Sequence, residues 1–381
     1  MTLNDTIREY TQRLNQKNLL RTRRVSRTNH PDLIHFDSND YLSLNQDKRI
    51  SDAYQEGYKH FPSGSGGSML LSGYHENHRA VEIAFSQLLS VDDCILFSSG
   101  YAANLAVMVL LGQLKAHCLI DKGVHASIYD GLTLAQVPYT RYLHHNMDDL
   151  GHHLTSCTMR TAIITEGIFS MSGQISSLST VSLLGNQRGV VLLVDEAHSF
   201  GILGANGRGA VDHHHLTQHE VPLRIISFGK AFVSQGAIIA GKKEWIYALL
   251  QAGRSLIYST AISPALCYGL LKTLDVVVGA DDRRLKLVGL IDHFKTCIKH
   301  SPLNWVHSET AIQQLQLGCP HQALHFAQEL RNLGLCCSAI RVPTVTIKET
   351  GLRIILNSNH DEEQINKLFK TLDILYEHTP H

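Results

Sequence analysis

Apolar residues recur at helical spacing near the start of the chain, at Leu3, Ile7, Tyr10 and Leu14, and predict an amphipathic helix over 3–20. LIHFDSNDYLSL, 33–44, reads as a short strand and a turn. The stretch SGSGGSMLLSG, 63–73, is too rich in Gly and Ser for a regular element and reads as a loop. From there the texture alternates. A helix over 75–90 leads to a strand at 94–99, a helix from Tyr101, a strand at 117–121 and a helix from about 125. Further apolar strands follow at 161–167, 189–197, 224–230 and 237–241. Near-continuous apolar strands between helical segments predict a mostly parallel sheet covered on both faces, an α/β fold of three layers. Beyond about residue 275 the pattern changes to a helix over 282–299, a strand at 310–317, a helix at 321–333 and a strand at 351–356. That predicts a smaller α+β C-terminal domain. The expected division is an N-terminal arm, 1–45, a large domain, 46–275, and a small domain, 276–381.

Composition narrows the function. The chain has 381 residues, 44% of them hydrophobic, enough for two buried cores. Lys+Arg and Asp+Glu are both 34, so no net charge draws the protein toward nucleic acid, and no basic helix suits a membrane surface. The longest apolar run, Leu105 to Leu111, falls far short of the ~20 residues that span a bilayer. The polar N-terminus MTLNDTIREYTQRLNQ lacks the apolar stretch of a signal peptide. A soluble, cytoplasmic protein is expected. The eight cysteines form no CxxC pair and read as buried free thiols of a reducing compartment. The 24 histidines gather in runs such as His144-His145, His152-His153 and His213 to His215. With no Cys pair at zinc spacing beside them, they read as surface composition, and no metal is expected.

Three features sit at strand ends, where open α/β sheets bind ligands. In SSGYAAN, 98–104, strand, Gly and helix leave backbone N–H groups at a helix N-terminus, which suits a phosphate. In VDEAHSFG, 194–201, Asp195 ends an apolar strand and His198 follows three residues later. A buried carboxylate needs a cation, and a pyridinium nitrogen is one such partner. In SFGKAF, 227–232, Lys230 follows a strand and a glycine turn, where a partly desolvated amine can act as a nucleophile. Singly, each has a plain structural reading: a strand-to-helix turn, a helix cap, a solvated lysine. Their order, with Lys230 lying 35 residues after Asp195, is the arrangement of fold-type-I pyridoxal-phosphate enzymes.

Ten ordered blocks extend this likeness over nearly the whole chain: SNDYLSL, GSGGSMLLSGY, SSGYAAN, DKGVHASI, TEGIFSMSG, VDEAHSFGILGANGRG, SFGK, LIYSTAISPA, IRVPTV and GLRI. On them the sequence resembles the α-oxoamine synthase family, and within it the member that joins L-alanine to a pimeloyl thioester in biotin synthesis. The resemblance implies pyridoxal 5'-phosphate as cofactor, carried as a Schiff base on Lys230, which also moves the α-proton. It implies that Asp195 pairs with the pyridine nitrogen, His125 stacks on the ring and reaches substrate, and His198 bonds the phenolic oxygen. Gly100 and Tyr101 meet the phosphate through backbone N–H groups, and Ser170 and Ser227 contact the cofactor. Tyr258, Ser259 and Thr260 match a segment that reaches the neighbouring subunit's phosphate, which implies a homodimer. Arg353 is expected to clamp the amino-acid carboxylate. Arg21, Thr344 and Asn39 border the substrates; Arg23, Arg24 and Arg27 can equally form a solvated basic face. Three departures from the usual blocks are Tyr101 for Phe, Ser172 for Asp, and a glycine-poor stretch after Lys230 with Ala231 and Gln235. The acyl donor is a coenzyme A or a carrier-protein thioester. The rival readings are a sister enzyme with another amino acid and acyl group, and a catalytically idle cofactor-binding regulator.

Overall fold

The computed structural model describes residues 1–23, 25, 33–157 and 160–378. Arg24 and Arg27 therefore lie outside the described residues. The chain forms two compact units: a larger one of 39–170 and 174–285, and a smaller one of 1–38, 171–173 and 286–381.

The larger unit is built on a seven-stranded sheet. Its strands are β1 (Asp93–Phe97), β2 (His117–Asp121), β3 (Tyr139–Tyr142), β4 (Thr161–Glu166), β5 (Val191–Asp195), β6 (Leu223–Ser227) and β7 (Ala237–Gly241). Their order is β1-β7-β6-β5-β4-β2-β3. Only β7 runs against its neighbours, pairing antiparallel with both β1 and β6. β1 consequently points the same way as the parallel strands, and six C-terminal ends share one edge. Successive side chains of a strand face opposite sides, and the packing follows that rule. Cys118 and Ile120, Ala162 and Ile164, and Leu193 belong to one apolar core, with helices Gly100–Gln113 and Ala126–Leu134. Leu119, Ile163, Leu192 and Val194 belong to another, with helices Met147–Leu154 and Leu178–Asn186. Both faces are covered, which is the three-layer architecture that the apolar runs predicted. The strand YTRY, 139–142, has no apolar run to announce it. It lies at the sheet's edge, where only Tyr142 is buried.

The smaller unit holds a four-stranded antiparallel sheet of β8 (Asn304–Trp305), β9 (Ile312–Gln316), β10 (Ser338–Ile340) and β11 (Gly351–Ile355), in the order β10-β11-β9-β8. Helices Pro320–Asn332 and Glu362–Glu377 carry apolar faces that include Phe326, Leu330, Leu368 and Phe369. The chain's first part joins this unit through Ile34–His35, which pairs in parallel with Leu335–Cys336. The first helix runs over Leu3–Gln16 from a capping box of Thr2 and Asp5, ends short of the expected residue 20, and buries none of its residues. Leu3, Ile7 and Tyr10 are exposed.

All eight cysteines are free, five of them buried. The histidine runs are not surface composition throughout. His144 binds Asp121 Oδ1 at 2.7 Å through Nδ1, and His145 binds the Ile175 carbonyl at 2.8 Å. The run lies just past β3, where the turn ties it to the end of β2 and to residues 174 and 175 and leaves both rings part-buried. No helix among the described residues is long and apolar enough to cross a membrane.

Candidate active site

Asp121, Glu166, Asp195 and Ser227 are the last residues of β2, β4, β5 and β6. Because these strands are parallel, their ends come together at one edge, with Glu166 directly opposite Asp195 in register. Residues scattered over a hundred positions thereby meet.

Asp195 is buried, and the protein supplies two of its partners. The Ala197 N–H donates to Oδ1 at 2.9 Å, and Asn104 Nδ2 donates to Oδ2 at 2.8 Å. The same amide group donates to Ser127 Oγ at 3.0 Å, while Asn104 Oδ1 is buried with no hydrogen-bond partner. Ser127 Oγ lies 2.8 Å from His125 Nδ1. A chain of polar contacts thus fixes His125, the residue that caps helix Ala126–Leu134, relative to Asp195. Burial holds the His125 imidazole below its ordinary pKa, against the pull of the Asp195 charge; the Lys230 charge acts with burial. A neutral, flat ring suits stacking on an aromatic cofactor.

His198 is buried, and its Nδ1 lies 2.6 Å from the Tyr41 hydroxyl. The Tyr41 hydroxyl also donates to Asn39 Oδ1 at 3.2 Å. The turn carrying His198 is anchored by Glu196. Its carboxylate, wholly buried, pairs with Arg224 at 2.8 Å and accepts the Ala210 N–H at 2.8 Å and the Ser199 hydroxyl at 3.0 Å. Gly209 passes so close that a Cβ there would lie 1.7 Å from Glu196 Oε2.

Helix Gly100–Gln113 starts at this edge, with Ser99 accepting the Ala102 N–H at 3.1 Å. The first N–H groups of a helix have no carbonyl one turn back; here they belong to Gly100 and Tyr101. A Cβ on Gly100 would stand 3.1 Å from Ser227 Cβ and 3.2 Å from its Oγ, so the glycine leaves the hydroxyl and the helix start open to one group. The Tyr101 ring turns away to bond Asp130. Lys230 is half-buried, three residues beyond β6. The loop behind it is tied by Ser234 N–H to the Phe228 carbonyl at 2.8 Å and Val233 N–H to the Lys230 carbonyl at 2.9 Å. These bonds hold a stretch poor in glycine, at the expense of a left-handed Val233 (φ 46°). Ser170 is buried and donates its N–H to Glu166 Oε2 at 3.1 Å.

Ser259 and Thr260 lie past the short helix Arg254–Ile257 and line a small pocket with Ser98 and Met69; Tyr258 beside them is exposed. Arg21, Thr344 and Arg353 belong to the smaller unit. Arg353 is buried in β11, across from Gln314 and Ser338. Arg21 donates to Thr344 Oγ1 at 3.5 Å. Burial and the Arg21 charge hold the nearby Arg341 guanidinium below its usual range.

Four residues of the larger-unit site carry no role in the sequence reading: Tyr41, Asn104, Ser127 and Glu166. Each lies inside one of the ten matched blocks, which was the available signal. Each also has a partner or ladder neighbour tens of residues away, which spacing could not disclose.

The residues at this edge fit pyridoxal 5'-phosphate. Helix N–H groups and Ser227 suit its phosphate, Asp195 its ring nitrogen, His125 its ring face and Lys230 its aldehyde. The family model for aminotransferase class I and II matches residues 31–372. The 8-amino-7-oxononanoate synthase of Pseudomonas syringae pv. syringae is 37% identical over 345 residues, covering 90% of this chain and 87% of that protein. That of Pseudomonas putida strain W619 is 38% identical, covering 90% and 88%. The crystal structure of 8-amino-7-oxononanoate synthase from Francisella tularensis superposes with a TM-score of 0.80 at 29% identity, covering 91% of this chain and 99% of that one. A serine palmitoyltransferase of S. paucimobilis with a bound PLP–myriocin aldimine has a TM-score of 0.88 at 23% identity, covering 98% and 97%, and shares the fold. With a family model spanning most of its length and synthase relatives at this identity, the chain belongs to the aminotransferase class I and II family and, within it, to the α-oxoamine synthases.

Proposed function

We propose that the protein condenses L-alanine with a pimeloyl thioester, on coenzyme A or a carrier protein, to give 8-amino-7-oxononanoate, CO2 and the free thiol. The supporting relatives bear the name of that synthase. The observation that carries the reading is that Asp195 ends β5 and Lys230 follows the end of the adjacent β6, with Asp195 accepting from Asn104 and the Ala197 N–H.

When bound, pyridoxal 5'-phosphate supplies an electron sink for the negative charge left at the alanine α-carbon. The chain's own residues do the rest. Lys230 Nζ is the point of attachment, and once released it takes the α-proton and returns one after CO2 has left. The Asp195 carboxylate keeps a positive charge on the ring nitrogen. His125 would cover one ring face, and His198, oriented by Tyr41, would bond the phenolic oxygen. Gly100 and Tyr101 N–H groups, with Ser170 and Ser227, hold the remaining polar atoms. Arg353 receives the alanine carboxylate as a two-pronged donor, while Arg21, Asn39 and Thr344 border the acyl chain. In functional terms the cofactor part is 46–275, flanked by an arm, 1–45, and a substrate-reading part, 276–381.

The working form is a homodimer in which Ser259 and Thr260 reach the partner's phosphate site. Leu70, Leu71, Tyr74, Tyr247 and Tyr258 support this, being large apolar side chains left exposed on one chain. The reaction belongs in the cytoplasm.

The test combines chemistry and substrate choice. Borohydride treatment of the purified protein should fix the cofactor on the peptide carrying Lys230. Product should then form from L-alanine and pimeloyl-CoA faster than from glycine or serine with acetyl, succinyl or long-chain thioesters. Preference for one of those pairs would move the protein to a sister activity. Cofactor binding with no turnover of any pair would make it a regulator.

A further inference from the structure

Two glutamates of the larger unit are buried completely, and the protein treats them in opposite ways. Glu196 has a guanidinium at 2.8 Å and three further donors, from Ser199, Ala210 and Val211. Those four donors oppose the burial that raises its carboxyl. Glu166 accepts one N–H at full hydrogen-bond geometry, from Ser170 on Oε2, with a weaker pull from the His125 backbone; its Oε1 is buried with no hydrogen-bond partner. No ion pair with a cation is formed by it among the described residues. Its neighbour across the ladder is Asp195, which holds two donors of its own.

Two carboxylates that close together in a dry site do not both ionise. Asp195 has the fuller set of donors of the two. We propose that Glu166 is a positioning residue that stands as a neutral acid beside Asp195, so that Asp195 is the only anion of the pair. Burial, and after it the Asp195 charge, drive Glu166 well above the carboxylate range, against weaker pulls from the Ser170 N–H, Lys230 and the His125 backbone. Those opposing groups are the point of the arrangement. One uncharged carboxyl touches the turn of Ser170 and faces the loop of His125, the Lys230 amine and Asp195. It ties four parts of the site together without competing for the positive charge that Asp195 is placed to receive. An ionised Glu166 would draw that charge toward β4 and weaken the selectivity of the ring-nitrogen contact for Asp195.

The charge state can be read without the cofactor, so this inference can stand or fall apart from the proposed function on which its catalytic meaning rests. Infrared difference spectra of cofactor-free wild-type protein against Glu166→Gln, at neutral pH, should show the C=O stretch of a protonated carboxylic acid in the wild type only. Absence of that band overturns the proposal. Glutamine has the same size, keeps an acceptor for the Ser170 N–H and carries no charge. Cofactor affinity, followed by absorbance, should therefore stay within about twofold in Glu166→Gln and fall about tenfold, the weight of one pK unit, in Glu166→Ala. Equal losses in both variants would also overturn it, since the neutral amide would then have failed to replace the acid. If Glu166→Ala does not fold, the infrared band and the Glu166→Gln affinity decide the matter. A protein that shows the band yet binds no pyridoxal phosphate would refute the function and leave the charge state standing.

Discussion

The two larger sheets of this protein place polar residues by different rules. In the larger unit, parallel strands deliver Asp121, Glu166, Asp195 and Ser227 to one edge, each as the last residue of its strand. In the smaller unit the strands alternate in direction, so neighbouring ends part company. Its buried cation, Arg353, sits in mid-strand, flanked by Gln314 and Ser338. A parallel sheet gathers groups from distant parts of the chain into one cluster. An antiparallel sheet presents a single side chain from a rigid surface. The first suits a cofactor with many polar atoms; the second suits one carboxylate.

The sharpest break of the larger cluster is Lys230→Ala. It should lower turnover by at least about a thousandfold, ~4 kcal/mol, with little change in thermal unfolding; near-normal turnover would refute the role of the lysine. Next is Gly209→Ala. A Cβ there meets Glu196 Oε2 at 1.7 Å, at a left-handed φ of 99°. The loss of the Glu196–Arg224 anchorage should cost about 3 kcal/mol or more in denaturant unfolding.

A third test sets the two units against each other through pH. Glu82, buried and bonded by Tyr74, is raised by its burial from 4.5 to about 7. The folded protein therefore holds a proton that the unfolded chain gives up between those values. Stability from this group falls as pH rises from 4.5 to 7, by on the order of 3 kcal/mol, and is level above 7. His360 of the smaller unit, lowered by burial from 6.5 to about 4, gives the opposite slope: stability falls as pH drops through that range. Unfolding curves of Glu82→Gln and His360→Gln across pH 4 to 7 should each lose one slope. Unchanged curves would refute the assignment.

The smallest effect is expected at Arg353→Ala. KM for the amino acid should rise by about 2 kcal/mol, roughly thirtyfold, with cofactor affinity unaltered. If cofactor affinity fell as well, the division of labour between the two units would be wrong.

Strand and helix positions were legible because periodicity is local. The apolar runs at 117–121 and 237–241 match β2 and β7 to the residue. Asp195, His198 and Lys230 drew notice by their places after apolar strands, and His125 through a matched block. The polar edge strand at 139–142 was not legible, nor was the antiparallel sense of β7. An edge strand needs little apolar surface, and alternation of side chains is the same in either direction. The contacts of Asn104, Tyr41 and Glu166 depend on strand order and register. By itself the sequence determined which segments are buried and which chemistry is at hand, since both follow from residue type and local period. Only the tertiary structure decided that Glu166 faces Asp195 while Glu196 faces Arg224. Charge states in a dry interior depend on neighbours brought together across the sheet, and no local pattern encodes them.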